Sequence, residues 1–242
     1  MFITSEAIVL NKVKYNDNTL IVSLFTKECG SVSFVVHIAK TAKANVKNNI
    51  LQPLNIVSVE WDNNSHKNLQ HIRNLQMSNY YSTLNAIPMK NLIASFLSEL
   101  LFHGLKNEHE NEDTFDFIKK SLIWLDENEK GIANFHLLFM LQLSSLLGLC
   151  PNMMQYDMPC FFDLLNGSFV KQQPNHGYFM NRNDTAMIRQ FYDMDYSSMG
   201  ELQINGEMRI RMIRHLNTFY RLHLPDFPQL KSIEILHEVV YS

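Results

Sequence analysis

Cysteine is scarce in this chain. It occurs three times in 242 residues, at 29, 150 and 160, with no CxxC pair and an odd count. A disulfide framework needs an even set, and a four-ligand zinc site needs ligands paired at short spacing. The three thiols therefore read as core or surface cysteines in a reducing compartment, and no metal is expected. No run of about 18 apolar residues exists, so nothing is expected to span a membrane. A basic start followed by an apolar core is also missing, which argues against a signal peptide. The phosphate-cradling patterns GxxxxGK[ST] and GxGxxG are absent, as are GxSxG and HExxH. Ten histidines are scattered, and the densest polar cluster, Glu108-His109-Glu110, falls in a stretch that reads as a solvated link. The expectation is a protein without catalytic residues or cofactor, whose function lies in binding surfaces.

Hydrophobic content of 46% and charged content of 19% describe an ordinary globular chain with ample core. The net charge is −3, but it is unevenly spread. Residues 1–80 hold eight Lys and Arg against five Asp and Glu, a balance of +3, which leaves −6 for the remainder. Such asymmetry is a hint about partners.

The first 80 residues alternate with a strand period. Ser5–Tyr15 passes from apolar to basic, Asn16-Asp17-Asn18 has turn chemistry, and LIVSLFT follows. Lys27-Glu28-Cys29-Gly30 turns the chain into Ser31–Ile38, where Val32, Phe34, Val36 and Ile38 share one side. Leu51–Trp61 is a fourth strand candidate, with Pro53 near its start, and His66–Leu75 a fifth. Five short strands with one longer basic connection predict an OB-type Greek-key barrel; an SH3-like barrel fits the strand count nearly as well.

From Tyr80 the apolar period becomes three and four, which predicts helices. Pro88 divides or opens the first of them. Further helices are expected over Asp113–Asn128, Asn134–Leu147, a short one capped by Asp184 and running through Tyr192, then Asn205–Leu224 and Leu230–Val239. Residues 151–180 read as an irregular insert with a hairpin at Asn166-Gly167. The expected class is α+β: an N-terminal OB-fold barrel over 1–79 and an all-α C-terminal domain over 80–242, with the short irregular hairpin insert.

Two basic features stand out. Lys12, Lys14, Lys40, Lys43 and Lys47 lie on the barrel segment, and they suit a phosphate backbone. Tyr15, Phe25, Phe34 and Trp61 supply aromatic faces of the kind on which OB folds stack bases. Phe25 and Phe34 sit in apolar strands and read rather as core. The 40–47 stretch reads either as a solvated loop or as a basic arm. On the Asn205–Leu224 helix, Arg211, Arg214 and Arg221 fall within about 120° of arc, a face for phosphate or an acidic peptide, or simply a solvated one.

The chain resembles the RecO family of bacterial recombination mediators. The residues that carry the resemblance are Thr4–Leu10, Tyr15 with Asn16-Asp17-Asn18, Leu24–Gly30, the lysine-bearing Ala39–Lys43, Leu51–Leu54, Leu146–Pro151 and Leu230–Leu236. The resemblance implies an OB fold, a helical domain and no turnover. It implies binding of single- and double-stranded DNA, annealing of complementary strands and, with RecR, loading of RecA onto DNA coated by single-strand-binding protein. It also implies a cytoplasmic, nucleoid-associated protein of bacteria. Many members carry a four-cysteine zinc loop where this chain has only Cys160, with Cys150 just before, so none is expected here. A protein-interaction scaffold that never touches DNA is the alternative reading.

Overall fold

A computed structural model describes residues 1–37, 49–64, 66–149 and 160–238. The chain divides into two compact units, Met1–Asp126 and Glu127–Ser242.

In the first unit, β1 (Phe2–Asn16), β2 (Thr19–Thr26), β3 (Gly30–His37), β4 (Ile56–Asp62) and β5 (Gln70–Met77) close a barrel in the order β1-β2-β3-β5-β4. All neighbours are antiparallel except β3 and β5, which pair in parallel through Phe34↔Gln70 and Val35↔His71. This order and the parallel closure are those of the OB barrel, which decides against the SH3-like alternative. β1 can serve two neighbours because it is long. Residues 2–8 pair with β4 and residues 7–16 with β2.

Period-two alternation explains the packing. Ala7, Val9, Val22, Leu24, Phe34, Val57, Val59 and Trp61 fill the barrel, with Phe34 and Trp61 meeting edge to face at 5.4 Å. The opposite face of β1 and β2 is buried as well. Ile8 and Phe25 pair across the strands, and the Phe25 ring lies 6.2 Å from Phe115. Two helices supply that cover, α1 (Pro88–Gly104) and α2 (Glu112–Glu127). Pro88 sits in the first turn of α1, where its missing N–H costs nothing. Ser98 of α1 donates to the Leu10 carbonyl at 2.9 Å, and Lys119 of α2 pairs with Glu6 at 2.7 Å.

The fourth strand starts later than its apolar pattern suggests. Leu51–Asn55 is a turn, not strand, because Leu54 takes a left-handed φ of 67° after Pro53. The fifth strand likewise begins at Gln70, not His66, and residues 80–87 are turns before α1.

The second unit holds a 3-10 turn (Ile132–Asn134), α3 (Phe135–Leu146), a small sheet of β6 (Phe161–Asp163), β7 (Ser168–Val170) and β8 (Phe179–Met180), then α4 (Arg182–Tyr192), α5 (Gly206–His223) and α6 (Ser232–Leu236). α3 is buried nearly all round, as its continuous apolar sequence requires. The Tyr220 hydroxyl of α5 donates to the Met140 carbonyl of α3 at 2.8 Å, and Phe162 of β6 packs on Phe219 at 5.7 Å. The hairpin at Asn166-Gly167 joins β6 to β7, with Gly167 left-handed. The cap of α4 is Asn181 rather than Asp184: its side chain accepts the Asp184 N–H at 2.9 Å.

Candidate nucleic-acid interface

The basic end of β1 owes its geometry to two irregularities. Leu10 and Tyr15 have no partner on β2, because the register shifts between Val9 and Asn11 and again between Lys14 and Asn16. Such a bulge moves every later side chain to the other face. Lys12 and Lys14 thereby pair with Val22 and Leu20 and share their side of the sheet, while Val13 pairs with Ile21 on the other. Lys12 is half-buried, and burial lowers its pKa. Lys14 donates to Asp17 at 2.7 Å, a solvated pair of the kind that contributes little. Tyr15 sits in the second bulge and is 71% exposed. Asn16 closes the turn as its chemistry requires, accepting the Asn18 N–H at 3.0 Å.

Lys40, Lys43 and Lys47 lie outside the described residues, as does Cys150. β3 ends at His37, whose ring stacks on His71 at 6.4 Å and meets the Thr19 hydroxyl at 3.3 Å. The remaining cations of this segment differ in how firmly they are held. Lys27 is tied to Glu112 and Asp116 of α2. Arg73 pairs with Asp62 and lies 5.9 Å above the Phe2 ring. Lys67 is exposed with no ion pair among the described residues, and charge counting without a face gave no reason to single it out.

The aromatic expectation narrows. Phe25, Phe34 and Trp61 are fully buried, so Trp61 is a core residue and no stacking face. Its place follows from β4, where Val57, Val59 and Trp61 alternate into the barrel.

On α5 the three arginines have partners within their own unit. Arg211 places Nε and Nη2 on the buried Asp184 carboxylate at 3.2 and 3.0 Å, and His215 Nε2 meets the same carboxylate at 3.1 Å. Burial lowers the His215 pKa, although Asp184 works in the opposite direction. Arg214 pairs with Glu234 at 2.8 Å, and Arg221 donates to Gln229 at 3.3 Å. The last two contacts are solvent-exposed and therefore weak.

Two buried polar groups went unnoticed in sequence. Lys90 of α1 is wholly buried and donates to the Thr83 hydroxyl at 2.6 Å and the Asp126 carbonyl at 2.7 Å. Asp126 accepts the N–H groups of Ser82, Thr83 and Leu84. Burial alone would raise its pKa, but these bonds together hold it below the usual carboxylate value. Both secure the turn leading into α1 and act as structure. Among the described residues no group of three His, Cys, Asp or Glu is placed to hold a metal, and no helix is long and apolar enough to cross a membrane.

Comparison with known proteins matches this architecture in two parts. The family model described as recombination protein O N terminal covers residues 1–81, and recombination protein O C terminal covers 88–233. The chain is 39% identical over 232 residues to the DNA repair protein RecO of Phocaeicola vulgatus, covering 96% of each. It is 34% identical over 242 residues to that of Azobacteroides pseudotrichonymphae, covering 99% of each. With the RecO of Flavobacterium johnsoniae it shares 30% identity over 240 residues, again with 99% of each covered. An OB-ordered barrel followed by a helical region, matched almost end to end at these identities, places the chain in the RecO family.

Proposed function

We propose that the chain is a DNA-binding mediator of recombinational repair that works without turnover. The observation that carries this reading is the OB-ordered barrel at the front of a chain whose relatives are named DNA repair proteins over nearly their whole length. The barrel segment is also the net-positive part of the molecule. In this reading Lys12, Lys14 and the lysines at 40, 43 and 47 neutralise backbone phosphates, and Tyr15 offers a stacking face. Single- and double-stranded DNA both bind, since phosphate contacts carry no sequence information. Strand annealing, action with RecR and loading of RecA on strands coated by single-strand-binding protein complete the proposal. Arg214 and Arg221, whose present contacts are exposed and easily exchanged, are proposed with Arg211 as the face for an acidic partner segment. The site is bacterial and cytoplasmic.

Fluorescence anisotropy with a labelled oligonucleotide tests the reading. The full chain should bind at low salt, and changing Lys40, Lys43 and Lys47 together to Ala should weaken binding and flatten its salt dependence. Unchanged affinity in the triple variant would remove those lysines from the site. A wild-type chain that binds no oligonucleotide at any salt concentration would favour the scaffold reading.

A further inference from the structure

The segment 49–55 enters β4 and is held rigidly. The Leu54 N–H donates to the Val9 carbonyl at 2.6 Å, the Val9 N–H to Asn55 at 3.0 Å, and the Tyr81 hydroxyl to Leu54 at 2.8 Å. Asn55 adds amide bonds to the Asn49 and Ile50 carbonyls, both at 3.0 Å. This segment forms a wall for two grooves that meet at Asn85. One, of about 640 Å³, runs past Tyr80 and Gln76; the other, of about 470 Å³, follows the Ser95 and Ser98 side of α1. Both grooves lie within the first unit.

Among the described residues, none that lines either groove is charged. Their described lining therefore offers no ion pair to a phosphate, a carboxylate or a metal ion. What they do offer is carboxamide. The side chains of Asn49, Gln76 and Asn85 are exposed and have no hydrogen-bond partner among the described residues. Each presents a donor and an acceptor side by side, the pattern by which amides meet the edges of bases. Beside them Tyr80 stands 79% exposed, on a backbone that the clamp of Tyr81 onto Leu54 holds in place. A planar neutral ligand with a π face and alternating donors and acceptors fits this chemistry, and a nucleobase is such a ligand.

We infer that this groove receives unpaired bases of a DNA strand, with Tyr80 as the stacking platform and the carboxamides on the base edges. The inference rests on the DNA-binding reading and deepens it by assigning bases and phosphates to different residues. A duplex hides its base faces, so the groove acts on single strands alone.

The test compares a labelled single strand and a duplex of equal length by anisotropy, using the full chain. Tyr80→Ala should weaken single-strand binding on the order of tenfold, leaving duplex binding and the salt slope unchanged. Tyr80→Phe keeps the ring and should retain single-strand affinity. Equal single-strand affinity in the wild type and Tyr80→Ala overturns the inference. An equal loss on strand and duplex overturns it too, because Tyr80 would then not be touching bases. A wild-type chain that binds neither DNA defeats the DNA-binding reading itself, a result distinct from either of those.

Discussion

Gly30 shows how much one residue can hold in place. It ends the turn into β3 with φ at 67°, and a Cβ there would lie 2.4 Å from the backbone of Glu108 and His109. Only glycine fits both the conformation and the approach. Gly30→Ala should cost at least about 2 kcal/mol of stability, read as a lower urea midpoint; an unchanged midpoint would contradict this packing. His136 makes a second prediction. It is buried in α3, and burial first, with Arg209 nearby, pushes its pKa down to about 3. Its unfolded value is near 6.5, so the unfolded state binds the extra proton and stability falls as pH drops below about 6.5. By pH 5 the loss from this group reaches about 2 kcal/mol. His103 and His215 are lowered too and act in the same direction. Melting of wild type against His136→Gln between pH 7 and 5 separates its share, and the variant should show the shallower fall. Equal slopes would show that His136 does not stay neutral.

Asp184 does at the scale of elements what Gly30 does at one turn. Lying in the first turn of α4, it binds Arg211 and His215 of α5 and closes the cap with Asn181. Asp184→Ala leaves the Arg211 guanidinium and the His215 ring facing a buried, empty place and should cost about 2–3 kcal/mol, seen as a lower melting temperature; a change within error would mean the link is not structural. The strands and the long helices were legible because alternation and the three-to-four spacing survive in the sequence, as at Val32, Phe34 and Val36 or along α3. What failed did so for local reasons. Leu51–Asn55 has strand-like apolar residues, yet a left-handed Leu54 turns it, and no residue type announces that conformation. Asp184 is a good capping residue, but Asn181 stands three positions earlier and takes the role. The bulge at Leu10 reverses the faces of Lys12 and Lys14, and a one-residue slip in pairing leaves no mark in composition. Trp61 is aromatic by type, and only the register of β4 turns it into the barrel. Tyr80 and its amides carry no periodic signal, because Tyr80 and Asn85 lie between β5 and α1 and Gln76 stands near the end of β5.

Taken whole, the molecule's proposed binding divides into two kinds of recognition. Its net-positive front segment suits phosphate, while the groove along 49–55 carries no charge among the described residues. Its acidic remainder disfavours a diffuse electrostatic grip over the entire surface, so the proposed DNA binding is focused on the barrel segment. The proposed binding depends on that focusing, and the salt dependence of single-strand affinity tests it most directly. Plotted as log affinity against log salt, the full chain should fall linearly, by about 0.7 for each phosphate neutralised. Replacing Lys40, Lys43 and Lys47 by Ala should remove up to about three such contacts and flatten the line by about 2. A wild-type chain whose affinity does not change with salt, or a triple variant with the wild-type slope, would contradict it.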